Sequence, residues 1–190
     1  ARGHLRTPAY ARLPDAMKHA MRPNITTERR AKTPEQALST LMRLCARAEK
    51  STGDARRLMR NWGVADADAE KVLDRLLSDR FIDDTRYAEA FVREKLRLSG
   101  WGEYKLRAAL QRKGIARETV DAALQQIDRT GMSDRLAEQL ARKARNTRAA
   151  TPYELKTKLI RYGLSLGYDY ETVCETVART VKNDAPCDEF

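Results

Sequence analysis

The chain has 190 residues, enough for one ordinary domain or a few small modules. Charged residues make up 34%, Phe, Gly and Pro are scarce, and the formal net charge is +10; this favours helices around thin cores and an acidic partner, whether nucleic acid, an anionic membrane or an acidic protein. No apolar run approaches the roughly 18 residues of a spanning helix, the first 30 residues hold no signal-peptide pattern, and Cys45, Cys174 and Cys187 fit neither a disulfide framework nor a zinc spacing, so a cytoplasmic protein with reduced cysteines and no cofactor is expected.

Residues 1–32 lack sustained periodicity and carry Pro8, Pro14, Pro23, many charges and both histidines, His4 and His19. They read as a basic, poorly ordered N-terminal arm with a short helix near Asp15–Met21. Thr33-Pro34-Glu35-Gln36 then announces a helix: Thr at the N-cap, Pro at the first helical position, Gln closing a capping box. Leu38, Leu41, Cys45 and Ala48 follow at helical spacing. The same start recurs at Thr151-Pro152-Tyr153-Glu154, which prompts a search for repeats.

Glycine supplies the register. Gly63, Gly114 and Gly163 each follow a short helical pattern, at Arg56–Asn61, Lys105–Lys113 and Glu154–Tyr162, where a left-handed residue is expected to end the helix. Four residues before each stands Met59, Leu110 or Leu159; eight before, Ala55, Leu106 or Leu155. A third helix follows each glycine, marked by Val72, Leu73, Leu76 and Leu77, then by Val120, Ala123, Leu124 and Ile127, then by Val173, Val177 and Val181 after an N-cap at Asp169. A longer helix opens each unit: Thr85–Leu98 in the second, with Ile82 placed to staple onto Tyr87, and Asp134–Arg148 in the third. The expected fold is all-α: three tandem three-helix repeats, at 33–80, 81–130 and 131–183, in an elongated array, followed by an acidic tail at 184–190.

Charge follows the same repeat. Met42–Arg60 holds six basic and two acidic residues, Arg86–Lys113 eight and three, Arg135–Arg148 five and one; Asp66–Asp79 reverses the balance with two and five. First and second helices are basic, third helices acidic or neutral. Stacked units would carry a basic stripe, suited to an extended polyanion or a filament rather than a small ligand; a solvated face is the plainer reading.

Arg142, Lys143, Arg145 and Arg148 form the densest basic run, able to grip phosphates or simply to solvate a helix. Trp101, between Gly100 and Gly102 and near Arg97 and Lys105, either stacks on a base or folds over its unit's core. Tyr153, Tyr162, Tyr168 and Tyr170 alternate with Lys156, Lys158 and Arg161, and at least two of them are expected in the core. Asp83-Asp84 is best read as helix capping rather than acid/base or metal chemistry. Asn24-Ile25-Thr26 fits a glycosylation pattern that a chain without a secretion signal would not expose to that machinery. No nucleophile elbow, phosphate loop or metal spacing is seen, and no enzyme is expected.

The segment Phe81-Ile82-Asp83-Asp84-Thr85-Arg86-Tyr87-Ala88-Glu89-Ala90-Phe91-Val92-Arg93 resembles the signature of RecX regulatory proteins. So does Gly100-Trp101-Gly102 followed by Leu106-Arg107-Ala108-Ala109-Leu110-Gln111-Arg112-Lys113-Gly114-Ile115. The resemblance covers the middle unit closely and the outer units in pattern. It implies tandem three-helix units and a protein without an active site, which lodges in the groove of the RecA–DNA filament and inhibits ATP hydrolysis and strand exchange. It maps the family's basic surface to Arg93, Lys95, Arg97, Lys105, Arg107, Arg112 and Lys113. With Arg86, Trp101, the Arg142–Arg148 run, Lys156 and Lys158 these form the expected partner surface of a monomer that binds RecA, with single- or double-stranded DNA as a further partner. The long basic arm departs from the family pattern and leaves open a second reading, a DNA-binding helical array acting without RecA.

Overall fold

The computed structural model describes residues 31–183, all of whose regular elements are helices. The expected basic arm up to residue 30, its histidines and its short helix lie outside the described residues, as does the acidic tail from Asp184. Nine helices are found among the described residues, in three sets of three. The first set is α1 (Pro34–Arg47), α2 (Thr52–Asn61) and α3 (Asp66–Ser78); the second is α4 (Asp84–Ser99), α5 (Glu103–Arg112) and α6 (Arg117–Gln125); the third is α7 (Arg129–Arg145), α8 (Pro152–Leu166) and α9 (Tyr170–Asn183).

The start signals operate as local chemistry demands. The Thr33 hydroxyl accepts from the Gln36 N–H and the Gln36 side chain accepts from the Thr33 N–H, a complete capping box with Pro34 in the first turn. Thr151 caps α8 through the Glu154 N–H at 3.1 Å. Asp83 caps α4 through the Arg86 N–H at 3.0 Å.

Asp169 caps α9 by accepting from the Thr172 N–H at 2.8 Å, and that bond holds its carboxyl below the usual carboxylate range. A depressed folded-state pKa adds stability above the unfolded value of 3.8, lost as pH falls through the lower folded value. Asp169→Ala is therefore expected to lose about 1 kcal/mol at pH 7. Urea titrations of both proteins at pH 7 and pH 2.5 should show that gap narrowing in acid; a gap that does not change with pH would mean that the charge on the cap contributes nothing.

Each set encloses its own small core. Ala37, Leu41, Met59, Leu73 and Leu76 fill the first; Ala88, Leu106, Leu110 and Val120 the second; Leu136, Leu140, Leu159 and Val173 the third. In every set the third helix packs on both others. Ile82 sits fully buried in the first core, whereas the sequence pattern points it at Tyr87 of the second. Tyr162 and Tyr168 join the third core, and the Tyr168 hydroxyl donates to the Met132 carbonyl at 3.2 Å. Tyr153 and Tyr170 are exposed.

Two of the three glycine positions behave as expected. Gly63 and Gly114 take φ of 73° and 75° just past α2 and α5. Gly163 does not end its helix: α8 continues through it to Leu166, and Gly167, with φ of 90°, closes the helix instead. Gly163 has a packing role, because a Cβ there would lie 2.7 and 2.9 Å from the two methyls of Val173. Sequence register selects the wrong glycine because a close-packing glycine and a helix-ending one look alike one turn apart.

Modules of roughly 50 residues bury too little surface to be robust alone, and the junctions between them are built from backbone. The N-terminus of α2 meets the C-terminal turn of α5: the Ser51 hydroxyl donates to the Lys113 carbonyl at 2.8 Å, and a Cβ on Gly53 would overlap that carbonyl. The N-terminus of α5 meets the C-terminal turn of α8 in the same way. The Gly102 N–H donates to Leu166 O at 2.8 Å, the Tyr104 N–H to Gly167 O at 3.0 Å, and a Cβ on Gly102 would overlap the Gly167 carbonyl. Donor-rich helix starts thus face acceptor-rich helix ends, satisfying orphan groups on both sides. The corresponding end of α2 receives the chain leading into α1: the Lys32 N–H donates to Trp62 O at 3.0 Å and its ammonium lies 4.3 Å from the Trp62 ring centroid.

Candidate partner-binding groove

Several residues expected to face a partner are held by the protein itself. Arg86 forms a bidentate pair with Glu49 at 2.8 and 3.1 Å, which hydrogen-bonds it further into its charged form. Lys113 holds both oxygens of the buried Asp54 carboxylate, at 3.1 and 3.0 Å. Asp84, the second residue of the acidic pair, accepts from the Thr52 N–H and hydroxyl at 2.9 and 2.6 Å. These contacts brace the first junction.

Arg107 bonds to Asp121 and, at 3.1 Å, to Glu103, linking α5 to α6; the bond holds Asp121 below the usual carboxylate range. Lys105 donates to the Ser165 carbonyl at 2.9 Å and lies 4.9 Å from the Trp101 ring centroid. Trp101 is half-buried on the second core, edge-on to Phe91 with ring centroids 6.1 Å apart. Lys95 pairs with Glu94 at 2.8 Å and lies over Phe91 and Trp101. Lys158 is spent on Glu154 at 2.6 Å and on the Arg148 carbonyl at 2.8 Å. Arg112, Arg145, Arg148 and Lys156 are exposed, and none has a carboxylate partner among the described residues.

What remains converges at the second junction. Leu136, Leu140 and Ala144 turn inward on α7 at four-residue intervals, which leaves Arg135 and Arg142 outward on a shared face, two turns apart. Opposite them α4 ends at Gly100, whose φ of 57° closes the helix and whose carbonyl accepts from the Gln139 amide at 3.3 Å. Arg97 occupies the last turn of α4, where a cation complements the helix dipole. Between α4 and α7 lies a cleft of about 650 Å³, lined by Arg97, Arg135, Arg142 and Lys143, with Glu138 as the carboxylate in its wall. Lys143 leans over Tyr162, 5.4 Å from its ring centroid. A second cleft of about 340 Å³ shares Arg97 and Arg135 and is lined also by Arg93, Glu89 and Asp128.

Arg93, Arg97, Arg142 and Lys143, all expected as site residues, are thus brought together here. Arg135 is not singled out by the sequence: its charge counts toward the third unit's basic run, but only packing of α7 against the end of α4 places it beside Arg97. Among the described residues, no group of three or more His, Cys, Asp or Glu side chains is placed to hold a metal ion. No described helix is long and apolar enough to cross a membrane.

The family described as RecX, second three-helix domain, matches residues 83–124, which are α4 to α6. The regulatory protein RecX of Clostridium botulinum strain Eklund 17B is 30% identical over 153 residues, 79% of this chain and 69% of that protein. The chain belongs to the RecX family. The regulatory protein RecX of Chlorobaculum tepidum is likewise 30% identical, over 74% of this chain and 86% of that one. A crystal structure of regulatory protein RecX superposes with a TM-score of 0.70 at 19% identity, over 80% of this chain and 73% of that one. RecX from Lactobacillus salivarius superposes with a TM-score of 0.65 at 17% identity, over 77% of this chain and 96% of that one. The helical fold expected for a RecX protein is therefore the fold found.

Proposed function

We propose that this RecX-family chain acts in the cytoplasm on the RecA–DNA filament, binding it and restraining its ATP hydrolysis, recombination and strand exchange. The observation that carries this reading is the match to regulatory RecX proteins over most of the chain. The cations at the second junction, which have no carboxylate partner among the described residues, support it, because a filament on DNA offers acidic groups at repeating intervals. The chain contributes no bond-making chemistry in this reading; it acts by binding one filament state better than another, and a tenfold preference requires about 1.4 kcal/mol of differential affinity.

RecA ATPase on single-stranded DNA, titrated with the full chain, is expected to fall several-fold by equimolar protein and to stay low when excess free DNA is added. An unchanged rate at equimolar protein would overturn the reading. A fall that free DNA abolishes would favour the second reading, a helical array that sequesters DNA directly, for which the basic cleft is the supporting observation.

A further inference from the structure

The two junctions share their backbone contact and differ in their surface charge. At the first, Arg86 meets Glu49 and Lys113 meets Asp54, so these two cations are neutralised across the seam. At the second, Arg97, Arg135 and Arg142 have no carboxylate within bonding distance among the described residues, yet they border one cleft. Guanidiniums that border one cleft repel, and Glu138 is the single carboxylate that lines it with them.

We infer that the cleft between α4 and α7 is a binding site for a single strand of nucleic acid, whose phosphates lie along Arg97, Arg135 and Arg142. Arg135 and Arg142 are separated by about 10.5 Å along α7, and Arg97 faces them from α4, so the charges follow a run of anionic groups rather than enclosing one small ion. The planar guanidinium fork matches phosphate oxygens bidentately. The site is a recess lined from α4 and α7, whereas the base edges of a duplex are read by elements that enter its grooves; an extended single strand fits a recess. Leu98, 67% exposed at the lip, offers an apolar face to a base. Glu138 offers an acceptor to a base N–H.

The test needs no RecA, so it fails or succeeds separately from the proposed filament function. A fluorescein-labelled 30-nucleotide oligothymidylate is titrated with the full chain by anisotropy at several salt concentrations. The triple variant R97A, R135A and R142A is expected to bind at least tenfold more weakly at low salt. The slope of log affinity against log salt should fall by about 2, since each phosphate contact on a single strand contributes roughly 0.7. A control that removes three exposed arginines of the first module, R43A, R47A and R60A, should keep affinity within about twofold of the parent. The triple lysine variant, R97K, R135K and R142K, retains the charges and should retain the slope, which separates loss of a site from loss of folding; helicity of all variants is checked by circular dichroism.

Equal losses in both alanine triples would overturn the inference, because charge rather than place would then govern binding. Failure of the parent chain to bind the oligonucleotide would overturn it too. So would tighter binding of a duplex of the same length, or displacement by polyglutamate as effective as by unlabelled oligonucleotide.

Discussion

Gly102→Ala is expected to lower the stability of the folded chain by about 3 kcal/mol, more than a typical surface substitution by severalfold. Gly102 has φ of −81° and ψ of 169°, which any residue adopts, so no conformational strain accompanies the change. The effect comes from space. An added Cβ meets the carbonyl carbon and oxygen of Gly167 and the nitrogen of Tyr168, all of them backbone. A backbone segment cannot rotate away as a side chain can, so α5 would have to withdraw from the end of α8. The hydrogen bonds from the Gly102 and Tyr104 N–H groups to Leu166 and Gly167 would lengthen with it. Thermal unfolding should show a midpoint lowered by about 6–12 °C for a chain of this size. Gly131→Ala provides the contrast. Its Cβ would meet a side-chain oxygen of Asp128, the N-cap of α7, 2.6 Å away; a side-chain oxygen can turn aside, so the change should shift the midpoint by less than about 4 °C. Equal shifts for the two glycines would mean that the second junction yields easily and is not the rigid seam its geometry indicates.

Signals confined to one turn of chain are legible in the sequence. Thr33, Asp83, Thr151 and Asp169 cap the helices their spacing announces. The apolar columns Met59–Leu110–Leu159 and Ala55–Leu106–Leu155 do line cores, Leu155 only partly buried, because helical period alone decides which side of a short helix can leave water. Contacts between modules are not legible in the same way. Ser51 and Lys113 lie 62 residues apart, and nothing local to Ser51-Thr52-Gly53 distinguishes a buried seam from an ordinary N-cap. Asp84 reads as a capping residue for the same reason, although its carboxylate is committed to Thr52. The basic stripe departs furthest from its sequence reading. Counting charge along a helix treats Arg97 and Arg107 alike, yet one borders an open cleft and the other is tied to Asp121 and Glu103. Which cations are available is a property of packing.

That distinction leads to a second large effect. Lys113→Glu is expected to destabilise the chain by about 3–5 kcal/mol, the range seen when a buried ion pair loses one partner. The Asp54 side chain is 9% exposed, and the Lys113 ammonium bonds both of its oxygens. Reversing Lys113 leaves Asp54 with Arg57 at 2.7 Å as its remaining cation and sets a second carboxylate against it at the seam between the first two modules. Arg112→Glu, one residue earlier, alters an exposed side chain whose contact is with a carbonyl of its own helix at 3.3 Å, and should stay within about 0.5 kcal/mol of the parent. Urea unfolding of both variants, followed by helicity, decides between them. If both are as stable as the parent, the Asp54 pair is dispensable and the first junction is held by the Ser51 and Thr52 hydrogen bonds and the Arg86–Glu49 pair. If Lys113→Glu falls as expected, its loss of any binding activity reports a broken seam and not a lost partner contact. Charge reversal then maps a partner surface only at residues such as Arg97, Arg112, Arg135 and Arg142, which the described fold leaves unpaired.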